Sequence, residues 1–367
     1  MKEKAAVFVI NSLQNGGAER VVVNQAIELD NRGIHVIVIM IHDLQFYNLP
    51  STIETVVISK YMTGMKKLFE VPKLARCLDS KLDDLYSKYN IVLLTTNLPY
   101  SHYICRFSKY YRKFMFVMHS SQYRFPHSKS MLFKAKMSFL YRKANVVAVS
   151  EGVRDELVSV YRLDAKKVVT IYNPISFDDI SNEMNANSDT DTVPYRYILG
   201  VGRLCEEKNF DTLIKAFKKS RIFLSHKLVI LGIGDDKDKL EKLAHELYLD
   251  DQVVFYGWSN EVYYWMKNAD LFVCSSKDES FGMALLEALY CGCPVVSVSS
   301  TGPREIMCGN LKHYLSENDV DDLSDKMIDA LRYYPEIKKD YFERFDVNKI
   351  MDEYLKEYNC MVIKNEL

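Results

Sequence analysis

Asp278-Glu279-Ser280-Phe281-Gly282-Met283-Ala284-Leu285-Leu286-Glu287-Ala288-Leu289, followed by Cys291-Gly292-Cys293-Pro294 and Val295-Val296-Ser297-Val298, reads as loop, helix, turn and strand. Glu279 lies in the polar loop after the apolar strand Ala269 to Cys274, and Gly282 lets the backbone turn sharply into the helix. Met283 and Glu287 are four apart and share a face near the positive N-terminal end of that helix. The free backbone N–H groups around Phe281 to Ala284 make this helix start an anion site. Glu279 in the approach loop and Glu287 a turn inside then reach hydroxyls on either side of a bound phosphate, as a sugar nucleotide requires. The competing reading is an amphipathic helix with one capping and one solvated glutamate.

Similar units flank this stretch. Tyr197 to Val201 is an apolar strand, and Gly202-Arg203-Leu204-Cys205-Glu206-Glu207-Lys208-Asn209 leads from it into the helix Phe210 to Lys219. Arg203 and Lys208 are placed to grip a diphosphate from two directions, Arg through a forked contact and Lys as a point charge. A plain surface turn is the alternative. Lys227 to Asp236 is another strand and glycine turn, containing Gly232, and Val253 to Trp258 is a strand with a bulky ending.

The first half repeats the pattern. Lys4 to Ile10 is a strand, Gly16-Gly17 opens the helical pattern Val21 to Leu29, and His35 to Ile41 is the next strand. Gly16 and Gly17 allow backbone N–H groups to approach a ligand closely; a plain helix entry is the alternative. Further strands are expected at Thr55 to Ser59, Ile91 to Thr95, Met115 to Met118 and Val146 to Val149. His119 follows one of them directly, at the edge where α/β sheets bind ligands, although a lone His is usually structural. No Gly-x-Gly-x-x-Gly is present, which argues against a dinucleotide oxidoreductase. The alternation predicts an α/β protein with two doubly wound, Rossmann-like domains. The expected boundaries are 1–175, a linker at 176–194 rich in Asn, Asp and Ser, and 195–345, with a C-terminal helix at 346–367 crossing back to the first domain.

At 367 residues, 48% hydrophobic and 26% charged, the chain is ordinary globular material with room for two cores. Its net charge of -1 conceals +11 in residues 1–175 and -12 in 176–367. No apolar run reaches membrane-spanning length and no secretory segment is evident, so a cytoplasmic protein is expected. The eight cysteines lack metal-ligand spacing and read as reduced thiols. Asp-x-Asp occurs at Asp189-Thr190-Asp191 and Asp236-Lys237-Asp238, in the linker and at a helix start, so neither metal nor cofactor is expected. From Leu85 to Ser150 there is no Asp or Glu but eleven cations: Lys88, Arg106, Lys109, Arg112, Lys113, Arg124, Lys129, Lys134, Lys136, Arg142 and Lys143. With Met131, Leu132, Phe133 and Phe139 interleaved, the stretch suits an anionic membrane surface; a solvated basic face is the alternative. No nucleic-acid-binding motif accompanies it, and nucleic acid is not expected as a partner.

Glu279 to Glu287 with Phe281-Gly282 between them resembles the acidic motif of retaining GT-B glycosyltransferases of family 4. Gly-Gly-Ala-Glu-Arg from Gly16, His119, Gly202-Arg203-Leu204 with Lys208-Asn209, the glycine turn at Gly232, the strand ending at Trp258 and Thr301-Gly302-Pro303-Arg304-Glu305-Ile306 resemble further family segments in the expected order. The resemblance implies two domains facing across a cleft and a nucleotide-sugar donor bound mainly by the second. His119 would face the donor sugar, Arg203 and Lys208 would neutralise the leaving diphosphate, Glu279 would hold sugar hydroxyls and Glu287 the ribose. It further implies a metal-independent hexosyltransferase acting with retention, moving a hexose or N-acetylhexosamine from a donor expected to be UDP-linked. The acceptor implied is a lipid-linked glycan in surface polysaccharide or oligosaccharide assembly, reached peripherally at the inner face of the cell membrane. A nucleotide-sugar epimerase or phosphorylase on the same fold, and a catalytically silent sugar-nucleotide-binding partner, remain as alternatives.

Overall fold

The structure is a computed structural model and describes residues 2–14, 16–59, 70–122, 128–186 and 193–366. Asn15, Arg124, Asp189-Thr190-Asp191 and the rest of 187–192 lie outside the described residues. The chain forms two compact units, Met1–Ile175 with Arg344–Leu367, and Ser176–Glu343.

Unit 1 is built on strands β1 (Lys4–Ile10), β2 (His35–His42), β3 (Glu54–Ser59), β4 (Asn90–Asn97), β5 (Met115–Met118), β6 (Asn145–Ala148) and β7 (Val168–Thr170). They lie in the order β3-β2-β1-β4-β5-β6-β7, every neighbour parallel. Parallel neighbours need crossovers, and the intervening helices cover the sheet, so its central strands are apolar on both faces. Ala5 through Ile10 and Val36 through Ile39 are accordingly all fully buried. The helix Val347–Glu366 belongs to this unit: Ile350, Met351, Tyr354 and Tyr358 are buried, and Arg32 reaches Asp352 at 2.6 Å.

Unit 2 carries β8 (Tyr197–Val201), β9 (Lys227–Leu231), β10 (Val253–Gly257), β11 (Leu271–Cys274), β12 (Val295–Val298) and β13 (Leu315–Ser316). Their order is β10-β9-β8-β11-β12-β13, again parallel. In both sheets the chain first winds to one side and then returns to the other, as doubly wound sheets do. The reversal falls between β1 and β4 in unit 1 and between β8 and β11 in unit 2, and the carboxyl ends of the strands at such a reversal are where doubly wound sheets bind ligands. The fold class expected from the alternation is the one observed. β7 and β13 escaped the sequence reading because strands of three and two residues carry no periodicity.

Residues 176–194 were expected to be irregular, yet Phe177–Ala186 is a helix. Phe177, Ile180 and Met184 recur at i, i+3 and i+7, an apolar row obscured by the surrounding Asp, Asn and Ser. Phe177 stacks on Tyr290 at 4.4 Å, and Ser181 shares a hydrogen bond of 3.0 Å with the Tyr290 hydroxyl. The segment is thereby fixed to unit 2. Among the described residues no helix is long and apolar enough to cross a membrane.

Candidate active site

In unit 2 the loops after β8 and β11 lie side by side at the strand reversal. The first carries Gly202 to Asn209 and the second Ser275 to Gly282, leading into the helix Met283–Tyr290. They are laced together by short polar contacts. Ser275 Oγ donates to the Lys208 carbonyl at 2.7 Å, Asn209 Nδ2 to the Ser275 carbonyl at 3.0 Å, and the Lys277 amide to the Glu207 carbonyl at 3.0 Å. Asn209 holds the left-handed conformation, φ 56°, that turns the first loop into its helix.

This lacing brings Lys208 Nζ within 2.8 Å of Glu279 Oε2. Burial alone would lower the Lys208 pKa, but the Glu279 carboxylate more than reverses it, and the ammonium ends well above its ordinary value. Lys208 is thus a fixed cation in a sheltered position. Arg203 behaves differently: its side chain is 72% exposed and lies 3.9 Å from Glu207, a surface ion pair outside the sheltered position that Lys208 occupies.

The glycines of this rim have separate reasons. A Cβ on Gly232 would stand 1.8 Å from the Gly202 carbonyl oxygen, so that position is glycine because two loop backbones touch. A Cβ on Gly202 would press on the Lys208 stem at 3.2 Å. Gly282, at φ 105°, makes the helix entry, and no side chain caps that helix. Gly302, outside the site set read from the sequence, lets the backbone approach Phe281: its Cβ would meet the Phe281 carbonyl at 1.9 Å, while its amide donates to the Glu279 carbonyl at 2.7 Å.

At the helix start Met283 and Ala284 are partly exposed, whereas Phe281 before it and Glu287 within it are buried. Glu287 accepts from the Tyr263 hydroxyl at 3.5 Å, a partner 24 residues upstream that no spacing reveals. Trp258 follows β10 at the same carboxyl edge, 46% exposed, its indole N–H donating to Asn260 at 3.1 Å.

In unit 1 the loop after β1 and the turn after β4 meet at the other reversal, where the Ser101 amide donates to Asn11 Oδ1 at 2.8 Å. Gly16 caps the helix Gly17–Asn31 without a side-chain hydrogen bond. A Cβ on Gly17 would meet nothing within 4 Å, so packing of the chain does not demand glycine there. His119 follows β5, and its Nε2 donates to Asn97 Oδ1 at 2.9 Å, while Asn97 Nδ2 donates to Thr95 Oγ1 at 3.1 Å. The ring proton is held on Nε2. Nδ1 is buried with no hydrogen-bond partner among the described residues, an unused acceptor. Burial, with His102 nearby, pushes the His119 pKa down to about 3, so the ring is neutral at physiological pH. Behind it, Glu156 anchors the same loop by accepting from Ser121 Oγ at 2.7 Å and the Gln122 amide at 2.9 Å. Asn97 and Glu156 were not legible as site residues, because an isolated Asn or Glu has no diagnostic spacing.

Known proteins give this geometry a family. The profile of "Glycosyltransferase Family 4" matches residues 15–179, and that of "Glycosyl transferases group 1" residues 185–343. A Campylobacter jejuni protein, N-acetylgalactosamine-N,N'-diacetylbacillosaminyl-diphospho-undecaprenol 4-alpha-N-acetylgalactosaminyltransferase, is 31% identical over 314 residues, covering 83% of each chain. The chain belongs to glycosyltransferase family 4. The lipopolysaccharide 1,6-galactosyltransferase of Escherichia coli is 28% identical to this transferase over 179 residues, 46% of this chain and 47% of that one. Among solved structures, Anabaena Alr3699/HepE in complex with UDP and glucose superposes with a TM-score of 0.75 at 17% identity, covering 98% of this chain and 100% of that one. This likeness shows that the family 4 transferase has the GT-B-type pair of Rossmann-like folds.

Proposed function

We propose that this retaining glycosyltransferase moves a hexose or N-acetylhexosamine from a UDP-linked donor to a lipid-linked glycan in surface polysaccharide or oligosaccharide assembly. The observation that carries the site assignment is the Lys208–Glu279 pair, 2.8 Å apart, at the strand reversal of unit 2 and just before an uncapped helix start. As the sugar–diphosphate bond stretches, negative charge grows on the leaving phosphate and positive charge on the sugar. Lys208, Arg203 and the backbone N–H groups of Gly282, Met283 and Ala284 would stabilise the first. Glu279 would take the sugar hydroxyls and Glu287 the ribose, with Phe281, Trp258, Gly202 and Gly232 shaping the donor rim. In unit 1, His119 would offer Nδ1 to a sugar hydroxyl, and Gly16 and Gly17 would admit a phosphate or acceptor to the helix start. The donor class is supported by the UDP carried by the Anabaena protein, and the acceptor class by the undecaprenol-linked glycan in the name of the Campylobacter relative. Such an acceptor stays in the bilayer, so the enzyme would work peripherally at the anionic inner face of the cell membrane.

The test is turnover of UDP-sugars by Arg203→Ala and Lys208→Ala. Each variant is expected to lose on the order of 2–4 kcal/mol of transition-state stabilisation, by analogy with lost oxyanion donors. Lys208 and, once its exposed side chain turns to the leaving diphosphate, Arg203 would supply the positive charge a metal would otherwise bring, so full activity in excess EDTA is expected from the wild type. Wild-type rates in Lys208→Ala would dismiss the assignment.

A further inference from the structure

The helix Met131–Tyr141 in unit 1 has two apolar faces. Met137, Leu140 and Tyr141 are buried, the Tyr141 ring packing edge-on against Phe116 of β5. On the other side Met131 is 87% exposed, Leu132 83% and Phe139 48%, and the row continues to Phe107, 51% exposed, whose ring lies 5.9 Å from that of Phe139. Met131, Ala135 and Phe139 stand at i, i+4 and i+8, so they form one outward row. Lys134, Lys136, Arg142 and Lys143 are exposed on the same helix or its end. Arg106 ties the two parts together: its guanidinium stacks 4.7 Å from the Phe139 ring and Nε donates to the Phe139 carbonyl at 2.8 Å.

The fold also narrows the basic stretch read from the sequence. Lys88 pairs with Asp84 at 2.9 Å and Lys109 with Asp83 at 2.6 Å, carboxylates that precede the acid-free segment but fold beside it. Beside the exposed apolar side chains stand Arg106, stacked on Phe139, and the exposed Lys134, Lys136, Arg142 and Lys143 on or just after the helix Met131–Tyr141. No Asp or Glu occurs between Ser128 and Ser150, so nothing on this segment would repel an anionic surface.

We propose that this outward face is a bilayer-docking surface: Met131, Leu132, Phe139 and Phe107 enter the headgroup layer while Lys134, Lys136, Arg142 and Lys143 contact anionic lipid. An apolar row flanked by cations on one helix is the chemistry of an interfacial helix, in which burial and headgroup attraction add. The proposal rests on the lipid-linked acceptor reading for its purpose, but its test requires no acceptor.

Full-length protein is sedimented with vesicles of phosphatidylcholine alone and with vesicles containing phosphatidylglycerol. Binding is expected only to the anionic vesicles, and it should weaken as salt rises from about 50 to 500 mM, where the Debye length falls below 10 Å. Met131→Gln with Leu132→Gln, and separately Lys134→Glu, Lys136→Glu, Arg142→Glu and Lys143→Glu combined, should each lower vesicle affinity at least tenfold. All these side chains are exposed, so unchanged melting temperatures and unchanged transfer to a water-soluble acceptor analogue are expected. Unaltered vesicle binding in both variants overturns the proposal. So does a wild-type dimer that the Met131/Leu132 variant dissociates, since the face would then be a subunit contact. If the acceptor is water-soluble after all, vesicle binding stands and only the acceptor reading falls.

Discussion

Burial decides which charges the residues near the sheet edges keep. Lys208 keeps its proton because Glu279 faces it, whereas His102 and His119 are buried against neutral partners, Tyr141 and the Thr96 carbonyl for one and Asn97 for the other. Burial pushes His102 down to about 4, with the Thr96 carbonyl opposing only in part, and His119 to about 3. Below about pH 6.5 the unfolded chain protonates these imidazoles while the folded chain does not, so stability falls as pH drops from about 6.5 towards 4. Each histidine contributes a slope of up to about 1.4 kcal/mol per pH unit in that window. Urea midpoints measured from pH 7 to 4.5 should show it, and His102→Gln should flatten part of the decline; an equally steep decline in the variant would refute the account. Lys208 and Glu279 were each legible from the spacing of their own motifs, but their contact was not, since 71 residues separate them. Nor was the Asn97 contact that sets the His119 tautomer, because it comes from the end of a neighbouring strand.

Among the elements, the turns after the strands divide into those held by packing and those left open. Gly232 has a carbonyl where its Cβ would sit, so Gly232→Ala should cost about 1–3 kcal/mol through overpacking and disturb the loop that bears Lys208. Gly17 has nothing within 4 Å and occupies the first turn of a helix, where alanine gains up to about 1 kcal/mol in propensity. Gly17→Ala should therefore melt no lower than wild type while losing transfer activity. A melting curve with a paired activity assay tests both variants, and a fully active Gly17→Ala would remove that turn from the site. Strand–turn–helix units were readable because apolar runs and glycines punctuate them. Phe177–Ala186 was not, since its three apolar residues are diluted by polar ones and its anchor, Tyr290, lies far along the chain.

For the whole molecule, the two units are electrically opposite: unit 1 holds 29 Lys+Arg against 19 Asp+Glu, and unit 2 holds 19 against 30. The anionic surface proposed to attract unit 1 would repel the acidic unit 2. Unit 1 is also discontinuous in sequence. The chain leaves it after Ile175 and returns at Arg344, and the two passages are stapled side by side: the Ile175 amide donates to the Phe345 carbonyl at 2.9 Å and the Val347 amide to the Ile175 carbonyl at 3.1 Å. Deleting 347–367 would uncover the surface that Ile350, Met351, Tyr354 and Tyr358 fill. Limited proteolysis of that truncation should digest unit 1 and spare unit 2; equal protection of both would show that the helix is dispensable.

The same discontinuity sets a timetable for biosynthesis. Domains usually complete themselves in the order they leave the ribosome, the N-terminal one first. Here the strands of unit 1 emerge early, but the helix that closes them is translated only after all of unit 2. The second unit can be finished while the first still waits with an apolar face open, so the nascent basic half is the part with most need of a chaperone.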